Sequence, residues 1–290
     1  RLDRYVKIHL QVGIEREVEI IGLLAAWDEA FGKPLRDHPD NIRLACHDEV
    51  SGCITWLRTQ DELRQYMQAL GEHLQQRGWW ERTRFTADEP SDVNTFRQRV
   101  DFLRAIWPDA QIKVPFGHMA LMSEFVDQVN DWVPILTSLT HNVEASLQLQ
   151  ARVQARGGRF YWYVCCAPAR PNNFVTSPSI EARFQGWFTA WANLDGFLRW
   201  NFSLWPADPW RRPAYRFPHW NTGDMFFVYP GRDGRPVRTL RSETLLMGIQ
   251  DYELITLARQ QAPTNPTVQR ALEDAFARIW NGDVENDDLN

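Results

Sequence analysis

The stretch Arg84-Phe85-Thr86-Ala87-Asp88-Glu89-Pro90-Ser91-Asp92 decides how this chain is read. Residues 83–87 are β-prone, two adjacent carboxylates end them, and a proline stops the strand. From 95 to 107 the apolar spacing through Phe96, Val100, Leu103 and Ile106 is helical. Carboxylates at the C-terminal end of a strand that feeds a helix stand where barrel folds keep their chemistry. The plainer alternative is that Asp88 and Glu89 only prepare a helix N-terminus.

The same alternation extends outward in both directions. Upstream, 61–77 is an amphipathic helix with Leu63, Tyr66, Met67, Leu70 and Leu74 on one face, ended by Gly78. Before it, 42–46 and 53–57 read as short strands around His47-Asp48-Glu49, either a hairpin or an excursion at a barrel mouth. A buried strand at 18–24, followed by Trp27-Asp28, comes after a first helix over 2–12. Downstream, 111–115 is a strand followed by His118, and 132–137 is a strand followed by His141-Asn142. A helix over 143–154 leads to the most β-prone run in the chain, 159–166. Then come a helix at 180–194, a strand at 196–202, a long loop, a turn at 230–234, and a closing helix at 242–261.

Strands alternating with helices predict a mostly parallel sheet. About seven strand–helix units approach the eight of a (β/α)8 TIM-type barrel. The chain starts with Arg1 inside a helix, so the expectation is an N-terminally truncated barrel whose first strand precedes it. The barrel domain is expected over 1–282, with a frayed acidic tail over 283–290. The competing doubly wound sheet usually carries a Gly-rich phosphate turn, and no GxGxxG or GxxxxGK[ST] is present.

A formal net charge of −5 gives no reason to expect nucleic acid or an anionic membrane as partner. No apolar run is long enough to span a bilayer, and no signal peptide is present, which leaves the parent's location open, secreted and periplasmic included. Cys46, Cys53, Cys165 and Cys166 follow no zinc or redox spacing and read as small buried hydrophobes. No cofactor or metal is implied. Tryptophan is the unusual count, 14, with six of them from Trp187 to Trp220. Indoles need hydrogen-bond partners in a core, so such a cluster in loop-like sequence suggests a lined cleft, with a packed core under a long loop as the alternative.

In a barrel, residues after each strand meet at one mouth. That rule gathers Trp27, Asp28, Asp48, Asp88, Glu89, His118, His141, Asn142, Trp162, Trp200, Asn201 and Trp205. Aromatic platforms with polar groups suit a sugar, and paired carboxylates suit glycoside hydrolysis. For Trp162, Trp200, Asn201 and Trp205 a core role is the alternative, because strand parity is not fixed by sequence. For His118 and His141 it is a structural hydrogen bond. Adjacent acids do not straddle a glycosidic bond as residues from separate strands do. They fit substrate-assisted cleavage, in which the sugar's 2-acetamido oxygen attacks the anomeric carbon. Glu89 as general acid would need a raised pKa and hence partial burial beside an aromatic wall, and the backbone would have to leave strand geometry there.

Several segments together resemble glycoside hydrolase family 123. They are Asp88-Glu89-Pro90, Trp162-Tyr163-Val164-Cys165-Cys166, Asp195-Gly196-Phe197-Leu198-Arg199-Trp200-Asn201, and Asp208-Pro209-Trp210. Gly223-Asp224-Met225-Phe226-Phe227-Val228-Tyr229-Pro230-Gly231 and Gly248-Ile249-Gln250-Asp251-Tyr252-Glu253 complete the set, in order along nearly the whole chain. The resemblance implies a (β/α)8 domain removing a terminal β-linked N-acetylhexosamine, GalNAc favoured, from a glycan or glycoconjugate. It implies a retaining, substrate-assisted route with Asp88 as amide stabiliser and Glu89 as acid/base. Gln250, where a charged residue is expected, and Asn201, where a small one is, depart from the pattern. A non-catalytic carbohydrate-binding barrel, and a two-carboxylate retaining glycosidase with an enzyme nucleophile, are the alternatives. Asp251-Tyr252-Glu253 is expected to tie the closing helix to the barrel.

Overall fold

The computed structural model describes residues 1–26, 42–117, 122–214 and 220–277, and the backbone alone of 28–29, 33–34 and 119–121. Trp27, His118, the side chain of Asp28 and the acidic tail therefore lie outside the described residues. The chain divides within one strand into two compact units, Arg1–Phe160 and Tyr161–Asn290.

The first unit opens with α1 (Leu2–Gln11), β1 (Val18–Ile21) and the two-residue strands β2 (Asp28–Glu29) and β3 (Lys33–Pro34). A hairpin of β4 (Leu44–His47) and β5 (Ile54–Leu57) follows, then α2 (Gln60–Gln76), β6 (Thr83–Thr86), α3 (Val93–Ile106) and β7 (Ile112–Phe116). After them come α4 (Met119–Phe125), β8 (Asp131–Pro134), α5 (Leu136–His141), α6 (Val143–Ala155) and β9 (Arg159–Tyr163). Helix starts are set by side-chain caps: Thr59 for α2, Asp92 for α3 and Asn142 for α6 each accept a backbone N–H of the first turn. Helix α4 was not expected from the sequence, where 116–118 read as a loop after a strand.

Strands β1, β6, β7, β8 and β9 are parallel neighbours in that order. Successive residues of a strand point to opposite faces, and the register makes the two faces chemically distinct. Ile20, Phe85, Ile112, Trp132 and Phe160 occupy one face, and Phe85 stacks on Trp107 at 4.7 Å. The other face carries Glu19, Arg84, Thr86, Lys113, Asp131 and Arg159. These charges are paired. Lys113 Nζ meets Glu17 and Glu19 at 2.5 and 2.6 Å, Arg159 meets Glu17 at 3.0 Å, and Arg84 meets Asp131 at 2.6 Å. Burial holds the Glu19 carboxyl above its usual range, opposed by Lys113 and reinforced by Glu17.

The second unit holds α7 (Ser179–Trp191), β10 (Gly196–Leu198), the short antiparallel pair β11 (Tyr229–Pro230) and β12 (Pro236–Val237), α8 (Leu240–Gln261) and α9 (Pro266–Ala277). Strand β10 pairs in parallel with residues 161–163 of β9. Helices α7 and α8 cross closely at two glycines: a Cβ on Gly186 would stand 1.9 Å from the Gly248 carbonyl oxygen. Asp251 fastens the same crossing, accepting from Arg183 Nε at 2.6 Å, Arg183 Nη2 at 3.0 Å and Trp187 Nε1 at 2.7 Å. These bonds hold the Asp251 carboxyl below its usual range. The Asp251 motif thus ties α8 to α7.

The fold is mixed α/β with six parallel strands in one hydrogen-bonded order, β1-β6-β7-β8-β9-β10. The expected truncated (β/α)8 barrel is met in part: the strands are parallel, but six rather than about seven are joined, and among the described residues β1 and β10 are both edge strands. The run expected as a strand over 196–202 ends at Leu198, because Asn201 turns the chain by accepting the N–H groups of Phe202 and Ser203. The cysteines also differ from expectation. None of the four is in a disulfide, and none is buried: Cys53 and Cys166 are exposed, and Cys46 and Cys165 are half-buried.

Candidate active site

The opening stretch leaves the sheet at its acidic pair. Strand β6 ends at Thr86, and the N–H of Ala87 makes a further bond to the Lys113 carbonyl at 3.1 Å. Asp88 is the next residue, and Glu89 takes φ +40°, in the left-handed region that L side chains other than Asn and Asp seldom adopt. The bend that two adjacent acids would need in order to share one substrate is therefore present. The helix-start alternative does not account for the pair. Asp92 is the cap, accepting from Thr95 N at 2.7 Å, and the helix begins only at Val93. Asp88 and Glu89 are both exposed, which corrects the expected burial of Glu89 beside an aromatic wall.

Several other candidates take structural roles. Asp48 lies in the turn of the β4–β5 hairpin. Its carboxylate accepts from Val50 N at 3.0 Å and Ser51 Oγ at 2.6 Å. The Ser51 bond above all holds its pKa below the usual carboxylate range. Trp162 is fully buried, donates to Thr189 Oγ1 at 2.8 Å, and packs against Phe188 and Phe197, so it takes the core alternative. Asn142 caps α6, accepting from Ala145 N at 3.1 Å, and His141 is exposed at the end of α5. Asn201 spends its side-chain oxygen on the turn described above.

Two tryptophans remain available to a ligand. Trp200 is 36% exposed, with its ring 5.3 Å from that of Trp220. Trp205 is half-buried and pinned by an Nε1 bond to the Val228 carbonyl at 2.7 Å. Asp88 and Glu89 belong to the first unit, and these two belong to the second.

The sequence reading missed a buried polar nest in the second unit. Arg199 follows β10 and donates to the carbonyls of Val164 at 2.7 Å and Asp224 at 2.9 Å, and pairs with the Asp224 carboxylate. It also reaches Asn172 Oδ1 at 3.3 Å. Beside it, Arg241 donates to the carbonyls of Asn173 at 2.7 Å and Gly223 at 2.9 Å. Burial pushes the Arg241 guanidinium down to about 10, and burial raises the Asp224 carboxyl, opposed by Arg199. A signal was available: Arg199 and Asp224 are single charges inside two of the most apolar runs of the chain.

Among the described residues no group of three or more His, Cys, Asp or Glu is placed to hold a metal ion, and no helix is long and apolar enough to cross a membrane. No curated protein matches the sequence. The structure is similar to that of a family 123 glycoside hydrolase from Clostridium perfringens studied for glycolipid glycan hydrolysis, with a TM-score of 0.72 at 20% identity. The match covers 94% of this chain and 47% of that one, so this chain spans about half the length of that protein. At that identity the likeness speaks for the fold alone. The sequence itself is matched over residues 1–258 by the family described as glycoside hydrolase 123, catalytic domain, a match that ends within α8. Order of motifs, fold and family match agree, and the chain belongs to glycoside hydrolase family 123.

Proposed function

We propose that this chain cleaves a terminal β-linked N-acetylhexosamine, GalNAc favoured, by a retaining, substrate-assisted reaction. The observation that carries the reading is the left-handed backbone at Glu89, two residues beyond the sheet hydrogen bond of Ala87. Strain of this kind persists where surrounding structure enforces it, and it gathers at functional sites. Family membership and the six parallel strands, which fit a (β/α)8-type scaffold, support the same reading.

In this mechanism the substrate's acetamido oxygen attacks the anomeric carbon as the glycosidic bond breaks. Asp88 orients the amide and balances the charge of the oxazolinium. Glu89 gives its proton to the leaving oxygen and then takes one from the water that opens the ring. Glu89 is exposed, so the exclusion of water around the reacting bond has to come from the bound glycan itself. Within the second unit, Trp200 and Trp205 offer apolar faces of the kind on which sugar rings rest. Asn201 has a side-chain N–H2 left to offer a hydroxyl once its oxygen serves the turn.

Chromogenic β-GalNAc, β-GlcNAc and β-galactose substrates assayed side by side test the reaction. Only the 2-acetamido sugars should turn over, and cleavage of the galactoside would instead indicate an enzyme nucleophile. Glu89→Gln should lower kcat by about 10²–10⁴ for substrates with poor leaving groups and by less for activated aryl ones. A uniform small loss for both would remove Glu89 from the role.

A further inference from the structure

In the second unit, helices α7 and α8 and strand β10 enclose a cavity of about 270 Å³. Its walls are mainly apolar, formed by Phe197, Phe202, Phe227, Leu245 and Ile249 among others. Two of the residues lining it are polar and incompletely bonded. Gln185 is 0% exposed, and neither atom of its side-chain amide has a hydrogen-bond partner. Arg199 uses its two terminal nitrogens on Asp224, Val164 and Asn172, but its Nε has none.

A buried, unsatisfied polar group costs on the order of 1–3 kcal/mol, so three such atoms lining one pocket favour a ligand that can hydrogen-bond to them. The space cannot close by sliding the helices together. Gly186 and Gly248 already bring their backbones into contact, and Asp251 bolts the crossing through Arg183 and Trp187. Large residues elsewhere in this unit pack without such gaps, as Trp162 does against Phe188 and Phe197.

We propose that this cavity is a binding site for a small apolar molecule carrying one carboxamide. The three unmet atoms define the group. An amide carbonyl accepts from Gln185 Nε2 and Arg199 Nε, and an amide N–H donates to Gln185 Oε1. A carboxylate would leave Gln185 Oε1 unmet and would add a second negative charge near Asp224, which already neutralises Arg199. A sugar ring would strand its hydroxyls against phenylalanine and leucine. The site is therefore separate in chemistry from glycan cleavage, and the proposal stands or falls independently of it.

The test uses the full chain with benzamide, benzoate and toluene as probes, read by thermal shift and by backbone amide NMR. Benzamide should raise Tm and perturb resonances of α7, β10 and α8. Toluene and benzoate should each bind about tenfold or more weaker, the worth of one to two hydrogen bonds. Gln185→Leu, close in size, should raise Tm without ligand, because it removes an unsatisfied buried group, and should reverse the preference to toluene over benzamide. Equal binding of benzamide and toluene would overturn the proposal, as would failure of all three probes. A lowered Tm in Gln185→Leu with no preference among probes would mean that ordered water already serves the amide, and would overturn it too. The NMR fingerprint of the variant shows whether the fold is kept.

Discussion

The two units bury charge in opposite ways. On one sheet face of the first, three cations, Arg84, Lys113 and Arg159, meet three carboxylates, Glu17, Glu19 and Asp131. In the polar nest of the second, two buried arginines stand beside one carboxylate, and only one of them pairs with it. Arg199 has Asp224, whereas Arg241 rests on backbone carbonyls, with its guanidinium 5.7 Å from the ring centres of Phe226 and Phe227. Strands placed in register bring side chains of opposite sign into one row, so the sheet balances its own charge. Loops have no register, so Arg199, just past β10, and Arg241, in the first turn of α8, bond instead to the backbone carbonyls that loop segments bring to them. The charged sheet face therefore fixes strand order, while the arginine nest fixes loop conformation: Arg199 alone joins residues 164, 172 and 224.

Breaking each region should expose the difference. The largest effect is expected from Asp224→Asn, which leaves Arg199 buried without its counter-charge and should cost about 3–5 kcal/mol in urea unfolding. A loss below about 1 kcal/mol would mean that carbonyls suffice for Arg199 as they do for Arg241, and the contrast within the nest would vanish.

Lys113→Met should cost somewhat less, about 3 kcal/mol at neutral pH, because Glu17 keeps Arg159. Its deficit should depend on pH. The Glu19 carboxyl is already raised in the folded protein, so it favours folding at low pH and loses that contribution as pH rises through its folded value. Removing Lys113 takes away the interaction opposing that rise. The deficit of the variant should therefore shrink as pH falls toward 4.5, the value of the unfolded carboxyl. A pH-independent deficit would show that Lys113 acts by packing.

The smallest effect should be a gain. Glu89→Gly relieves the left-handed backbone and should stabilise the protein by up to about 1 kcal/mol, while abolishing turnover. Unlike both charged regions, the acidic pair would then be a place where structure is strained for function. A destabilised variant would show instead that the Glu89 side chain helps hold the fold.

Much of the architecture was legible because it rests on periodicity. Phe96, Val100 and Leu103 mark α3, and the aromatic run around Phe160 marks β9, with errors of a few residues at the ends. Ends depend on caps, and only a folded backbone shows that Asp92 rather than Asp88 or Glu89 starts the helix. Burial was less legible. Trp162 and Trp200 are similar in the sequence, yet one is sealed against Phe188 and the other is 36% exposed, because strand parity and loop path decide which way an indole points. Asp48 shows a related ambiguity, since a carboxylate that closes a hairpin and one that faces a substrate have the same local signature. The charged sheet face was overlooked although Arg84, Lys113, Asp131 and Arg159 stand at single positions in otherwise apolar strands. Sequence alone does not reveal that their register aligns them.

By itself the sequence determined the alternation of strands and helices, the acidic pair at a strand end, and the ordered motifs of family 123, since these are carried by residues near one another in the chain. Tertiary structure decided the rest. It set the number of hydrogen-bonded parallel strands at six, matched cations to anions across five strands, buried Arg199 and Arg241 among loop carbonyls, and left the Gln185 amide without a partner in a cavity held open by two glycines. Such outcomes depend on desolvation and contact between distant residues, and no local pattern encodes the sum of those energies.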